Sequence, residues 1–163
     1  MKNKSIFLMA ICAMLLLFSG CSKKNALSYY DFKTKLIGTE LDGSYTFTAW
    51  GRARHAVDAY NQAQKQAVYD VLFTGAEPQS SNLRRLQPLL LEVNARDKYQ
   101  DYFDAFFADN GPYKEYCSMK DKRVESSEFY KNKRQAVCKA TVMVYRSKLR
   151  SKLIQDNILK TNE

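Results

Sequence analysis

The chain has 163 residues, 45% hydrophobic and 26% charged, with four cysteines, three prolines and one histidine. That length suits one globular domain, and its charged and aromatic content excludes both disorder and a polytopic membrane protein. A formal net charge of +9 points to anionic partners, while a single histidine leaves little from which to build a metal site or a histidine-based catalytic centre.

Lys2 and Lys4 precede an uncharged apolar run from Ile6 to Phe18, and Ser19-Gly20-Cys21 follows. Charged, apolar, then small is the order of a secretory signal peptide, and the run is shorter than the roughly 20 residues of a membrane-spanning helix. Phe18-Ser19-Gly20-Cys21 resembles a bacterial lipobox, in which Cys21 is acylated and becomes the mature N-terminus. Phe18 stands where Leu is usual, with Leu17 one position earlier; an ordinary signal peptide or an uncleaved anchor is the alternative. On the lipobox reading residues 1–20 are a lipoprotein signal peptide, 21–28 a lipidated tether and 29–163 a single periplasmic α+β domain. Loss of Lys2 and Lys4 leaves a net charge of +7. Acyl chains such as palmitate hold the bilayer by about 0.8 kcal/mol per buried methylene. Ser22 follows the cysteine where Asp would suggest inner-membrane retention, and no acidic tag appears in Ser22-Lys23-Lys24-Asn25. The expected address is the outer membrane, facing the periplasm, with the cell surface as the alternative. Export sets nucleic acid aside and favours lipid headgroups, glycan or an acidic protein.

Within the domain, Tyr29 to Leu41 reads as extended and Asp42-Gly43 as a hairpin turn. Ser44 to Trp50 alternates, with Tyr45, Phe47 and Ala49 on one face and Thr46, Thr48 and Trp50 on the other; Gly51 is expected to end this strand. Arg54 to Phe73 is the clearest helix, its stripe Ala56, Ala59, Ala63, Ala67 and Val71 implying close approach to whatever it covers. Gly75 and Pro78 terminate it. Asn82 to Arg96 surrounds Pro88 and reads as broken. Lys98 to Ala108 is a short helix whose Tyr99, Tyr102, Phe103, Phe106 and Phe107 are more naturally core than a stacking platform for sugars or bases. Tyr113 to Asp121 and Arg134 to Arg146 have strand character, and Leu149, Leu153, Ile154 and Ile158 mark a last helix. The order (β)βααββα implies an α+β fold: an antiparallel sheet of three to four strands with helices on one face.

Cys12 leaves with the signal peptide and Cys21 carries lipid, so Cys117 and Cys138 remain for a periplasmic disulfide. A hairpin centred between Ser127 and Glu128 would set them directly opposite, and Asp121 opposite Arg134, at a separation a disulfide bridges with some adjustment. Such a staple would contribute about 3 kcal/mol.

No catalytic residue, cofactor or metal is expected. His55 has Asp58 one turn on but lacks a nucleophile, so a hydrolase is the minority reading. The turn Gly51-Arg52-Ala53-Arg54 offers Arg52 and Arg54 to an anion. Lys120, Lys122 and Arg123, then Lys131, Lys133 and Arg134, flank one hairpin loop; Arg146, Lys148, Arg150 and Lys152 would extend the same positive edge toward lipid phosphate, anionic glycan or an acidic protein.

Phe47-Thr48-Ala49-Trp50-Gly51, followed by Ala56, Ala59, Ala63 and Ala67-Val68, resembles the strand–glycine–alanine-helix unit of small envelope lipoproteins. Those are the N-terminal domain of flagellar assembly protein T and its lipoprotein relatives, and more distantly the curli-secretion and penicillin-binding-protein-activator lipoproteins. Val142-Met143-Val144 with Leu149 and Leu153 would match that unit's last strand and helix. The whole chain also resembles Bacteroides-type lipoproteins of unknown function. The resemblance implies a non-enzymatic scaffold or activator, bound to the bilayer through Cys21, that assists an envelope assembly by protein contact. A glycan- or lipid-headgroup-binding module is the alternative. Lys131, Lys133, Arg134, Arg52 and Arg54 are the candidate contacts; oligomeric state is left open.

Overall fold

The computed structural model describes residues 32–120, 128–131 and 136–160; residues 128–131 are described by their backbone alone. Cys21, Lys122, Arg123, Lys133, Arg134 and the residues 1–20 read as a signal peptide lie outside them.

Strands β1 (Lys35–Thr39) and β2 (Tyr45–Ala53) form the expected hairpin. Its turn is held by Asp42, whose Oδ1 accepts from the Ser44 amide at 2.9 Å and the Ser44 hydroxyl at 2.6 Å, while Gly43 takes φ 77°. Helix α1 (Ala56–Tyr69) runs on into a π turn, Asp70–Thr74, closed by Gly75 at φ 74°. The carbonyls such an end leaves open are satisfied from elsewhere: the Leu89 and Leu90 amides donate to Val71 and Leu72 oxygens, each at 2.9 Å. Thus the irregular segment around Pro88 is stitched to the helix that precedes it.

Strand β3 is only Glu77–Pro78. Helices α2 (Ala95–Lys98) and α3 (Gln100–Phe106) replace the single helix expected over Lys98 to Ala108. A 3-10 turn, Pro112–Tyr116, leads into β4 (Cys117–Met119), so most of the expected Tyr113 to Asp121 strand is helical or short. Then come β5 (Glu128–Lys131), β6 (Ala136–Val144) and α4 (Arg146–Gln155).

The architecture is α+β, with a six-stranded sheet ordered β3-β1-β2-β6-β4 and β5 also paired to β6. Expectation of three to four antiparallel strands undercounts it: β1 and β3 pair in parallel, and β4 and β5 share one side of β6. This sharing overturns the cysteine register. β5 takes the first half of β6, with Phe129 opposite Cys138, and pushes β4 to the far half, with Cys117 opposite Val144. Both cysteines are buried and neither is disulfide-bonded; their register positions lie six β6 residues apart, or about 20 Å along the strand. The disulfide expected between Cys117 and Cys138 is therefore not formed.

Helix α1 crosses β2 and β6, which pair along their full nine residues. Phe47, Ala49, Ala59, Ala63, Ala67, Val142 and Val144 are fully or almost fully buried between them. Gly51 does not end β2. It sits inside the strand, where a β-carbon would lie 1.8 Å from the Ala59 oxygen and 2.4 Å from the Ala63 nitrogen. Absence of a side chain there lets helix and sheet touch backbone to backbone, which the alanine stripe had implied.

Candidate functional site: the open face of the sheet

Alternation along β2 and β6 sends Phe47, Ala49, Cys138, Ala140, Val142 and Val144 into the core. It leaves Thr48, Trp50, Arg52, Lys139, Thr141 and Met143 on the other face, half-buried or exposed. Lys35 joins them through its pairing with Thr48.

One end of this face is an aromatic–cation cluster. Phe32 packs edge-on against Trp50 with ring centroids 5.3 Å apart. The Arg52 guanidinium lies 4.8 Å over the Phe32 ring, and the Lys139 ammonium 5.9 Å from the Trp50 ring centre. Each such contact is worth about 0.5–1 kcal/mol at an accessible site. Their more important effect is to hold two long cationic side chains upright beside an indole. The acidic residue nearest by register is Glu128, opposite Lys139. At the other end Glu40 and Lys120 form an ion pair, and the Thr46 hydroxyl donates to Glu40 at 3.1 Å. Lys120 holds the Glu40 carboxyl below its ordinary range by hydrogen bonding and charge. That end carries compensated charge.

Of the residues singled out in the sequence, Arg52 belongs to the cluster. Arg54 is exposed in the bend that follows β2, two residues along the chain from Arg52. Lys131 pairs by register with Ala136, itself opposite Ala53, so β5 reaches the same end of the sheet. The other half of the expected positive edge is elsewhere. Arg146 follows β6 at its opposite end, half-buried with its guanidinium 5.9 Å over the Tyr45 ring and donating to the Gln87 oxygen at 3.4 Å. Burial lowers its pKa. Lys148 donates to the Glu115 oxygen at 3.2 Å, and Lys152 pairs with Asp156 at 2.8 Å. Arg146, Lys148 and Lys152 serve internal contacts, at the end of β6 opposite to the one where Lys131 pairs with Ala136.

His55 is the exposed N-cap of α1 and makes no side-chain capping bond; Asp58 is exposed one turn on. The aromatic helix is core: Phe103 and Phe106 are buried, and Phe73, Phe103, Phe106 and Tyr116 pack ring to ring at 4.9–6.5 Å. Tyr102 is held by its hydroxyl, which donates to Asp156 at 2.6 Å. Phe103 and Phe106 thus serve the core, while Tyr99, Tyr102 and Phe107 are partly buried against it. Among the clefts of the described residues, two bear on the residues singled out in the sequence. One, of about 550 Å³, runs between Leu90–Glu92, Lys98-Tyr99 and residues 157–160, and the Lys98–Glu92 ion pair closes part of it. The other, of about 310 Å³, is lined by Asp58, Asn61, Asp109 and Lys114, and Lys65 pairs with Asp109 there at 2.9 Å. Among the described residues no three His, Cys, Asp or Glu side chains gather around a metal position, and no helix is long and apolar enough to cross a membrane.

No protein family, curated protein or solved structure matches this chain. Likeness to envelope lipoproteins therefore rests on the residues that suggested it.

Sequence reasoning passed over Phe32, Trp50 and Lys139. One signal was present: Trp50 alternates with Thr46 and Thr48, on the face opposite Phe47 and Ala49, where an apolar ring has no core to enter.

Proposed function

We propose that this chain is a membrane-anchored binding and scaffold protein of the bacterial envelope, attached through Cys21, whose contact surface is the open face of the sheet. It works by holding a component in place, without transforming it. The observation that carries this reading is the Phe32–Trp50–Arg52–Lys139 cluster on a sheet face that α1 does not cover. An indole beside two held cations suits an anionic partner: the ring contributes contact area at low entropy cost, and the cations select charge. Hydrolysis around His55 has no comparable support, since that side chain stands in solvent at a helix start.

The test is a photo-crosslinking side chain placed at Thr48, in the open face, and separately at Val57, exposed on α1. Adducts with an envelope component from position 48, absent from position 57 and lost with Arg52→Glu, are the expected result. Adducts from position 57 alone, or from neither, would overturn the assignment of the surface.

A further inference from the structure

The described chain begins at Phe32, and Phe32 is itself part of the cluster, against Trp50 and beneath Arg52. Ten residues, Ser22 to Asp31, lie between Cys21 and Phe32. Even fully extended they reach at most about 40 Å, comparable with the diameter of a domain this size. An acyl group on Cys21 would therefore draw the domain to the bilayer by the end of the sheet where Trp50, Arg52 and Lys139 lie. The first residue after β2, Arg54, and the paired ends of β5 and β6 are at that end too.

Two independent features thus point the same way: where the tether arrives and what chemistry waits there. Tryptophan settles at the level of lipid headgroups, where its ring is half in apolar surroundings and its N–H remains wet. Arginine and lysine beside it meet phosphates, and the attraction grows with the anionic lipid content. Confinement by the tether raises the local concentration of headgroups so far that weak contacts suffice.

We infer that the open sheet face docks on the anionic headgroup layer of the same bilayer that holds Cys21, laying Trp50 into the interface with Arg52 and Lys139 on lipid phosphates. This rests on the proposed acylation of Cys21 and on the sheet face being the contact surface. Helix α1, on the opposite side of the sheet, then faces away from the membrane.

The chain holds one tryptophan, so indole emission reports on this face alone. Acylated protein is reconstituted into vesicles of phosphatidylcholine, or of phosphatidylcholine with phosphatidylglycerol. Both hold the anchor, but only the second is anionic. Expected in the anionic vesicles are a shift of Trp50 emission to shorter wavelength and a loss of quenching by acrylamide, both reversed by salt. In the neutral vesicles emission stays as in detergent. Arg52→Glu with Lys139→Glu abolishes the shift while the protein remains on the vesicles; Arg52→Gln with Lys139→Gln weakens it. Equal quenching in both compositions would overturn headgroup docking. If position-48 crosslinks then find an acidic protein or a glycan, the binding-face reading survives and the bilayer loses its place to that partner. Failure to attach to either vesicle would remove the anchor, and this inference with it.

Discussion

Gly51 shows how one residue sets the spacing of the whole molecule. A methyl group there would meet the Ala59 carbonyl at 1.8 Å and the Ala63 nitrogen at 2.4 Å, both backbone atoms that cannot rotate away. Gly51→Ala must lift α1 off β2 and is expected to cost about 3 kcal/mol or more, seen as a fall in denaturant midpoint. Tyr113 carries the opposite expectation. Its side chain is fully buried and its hydroxyl has no hydrogen-bond partner among the described residues. Tyr113→Phe removes a polar group that folding desolvates for nothing, so it should stabilise by about 1 kcal/mol. Alkaline pH sharpens the test. Burial pushes Tyr113 up to about 12 from an ordinary 10.0, and Cys117 up to about 12 from 9.0. Because the folded state holds these protons more tightly, stability is full below about pH 9 and falls as pH rises from there toward 12. A melting curve series should show that decline, shallower in Tyr113→Phe; an unchanged slope would remove Tyr113 as its cause.

At the scale of elements, β2 and α1 were legible because each repeats its own period over many residues: alternation from Tyr45 to Trp50, and alanine at three- and four-residue steps from Ala56 to Ala67. What escaped was non-local. Glu128–Lys131 is a four-residue strand whose existence depends on the free side of β6, and nothing in its own sequence separates it from a loop. Missing it made Cys117 and Cys138 look like partners, since a single hairpin would place them opposite each other. With β5 in place the thiols are separate and buried, and alkylation measures this directly. Neither Cys117 nor Cys138 should react in the native protein, and both should react in denaturant with no reductant added. Two blocked thiols that reductant frees would restore the disulfide. The candidate site was legible only in part. Arg52 was picked from a charged turn, yet Phe32 is one aromatic among several in an extended segment and Lys139 reads as one more polar position on a strand. Their meeting depends on β1, β2 and β6 lying side by side, a long-range pairing that periodicity does not encode.

Across the whole molecule, the sheet divides two roles. One face is occupied by α1 and continues into the aromatic core around Phe103 and Phe106; the other keeps Trp50 with its cations at the end where the chain arrives. Charge follows the same division. Glu40–Lys120 and Lys152–Asp156 are ion pairs within the fold, and the open face carries Lys35, Arg52 and Lys139, the last two against the Phe32 and Trp50 rings. A module anchored through Cys21 would thereby have its recognition surface delivered by its own tether. Lysine footprinting in intact envelopes tests this most directly, comparing each site with the purified protein in detergent. Lys35 and Lys139 should lose reactivity in the envelope, whereas Lys98 and Lys148, away from that face, should react equally in both. Lys35 and Lys139 labelled as fully in the envelope as in detergent would contradict the open face as the contact surface.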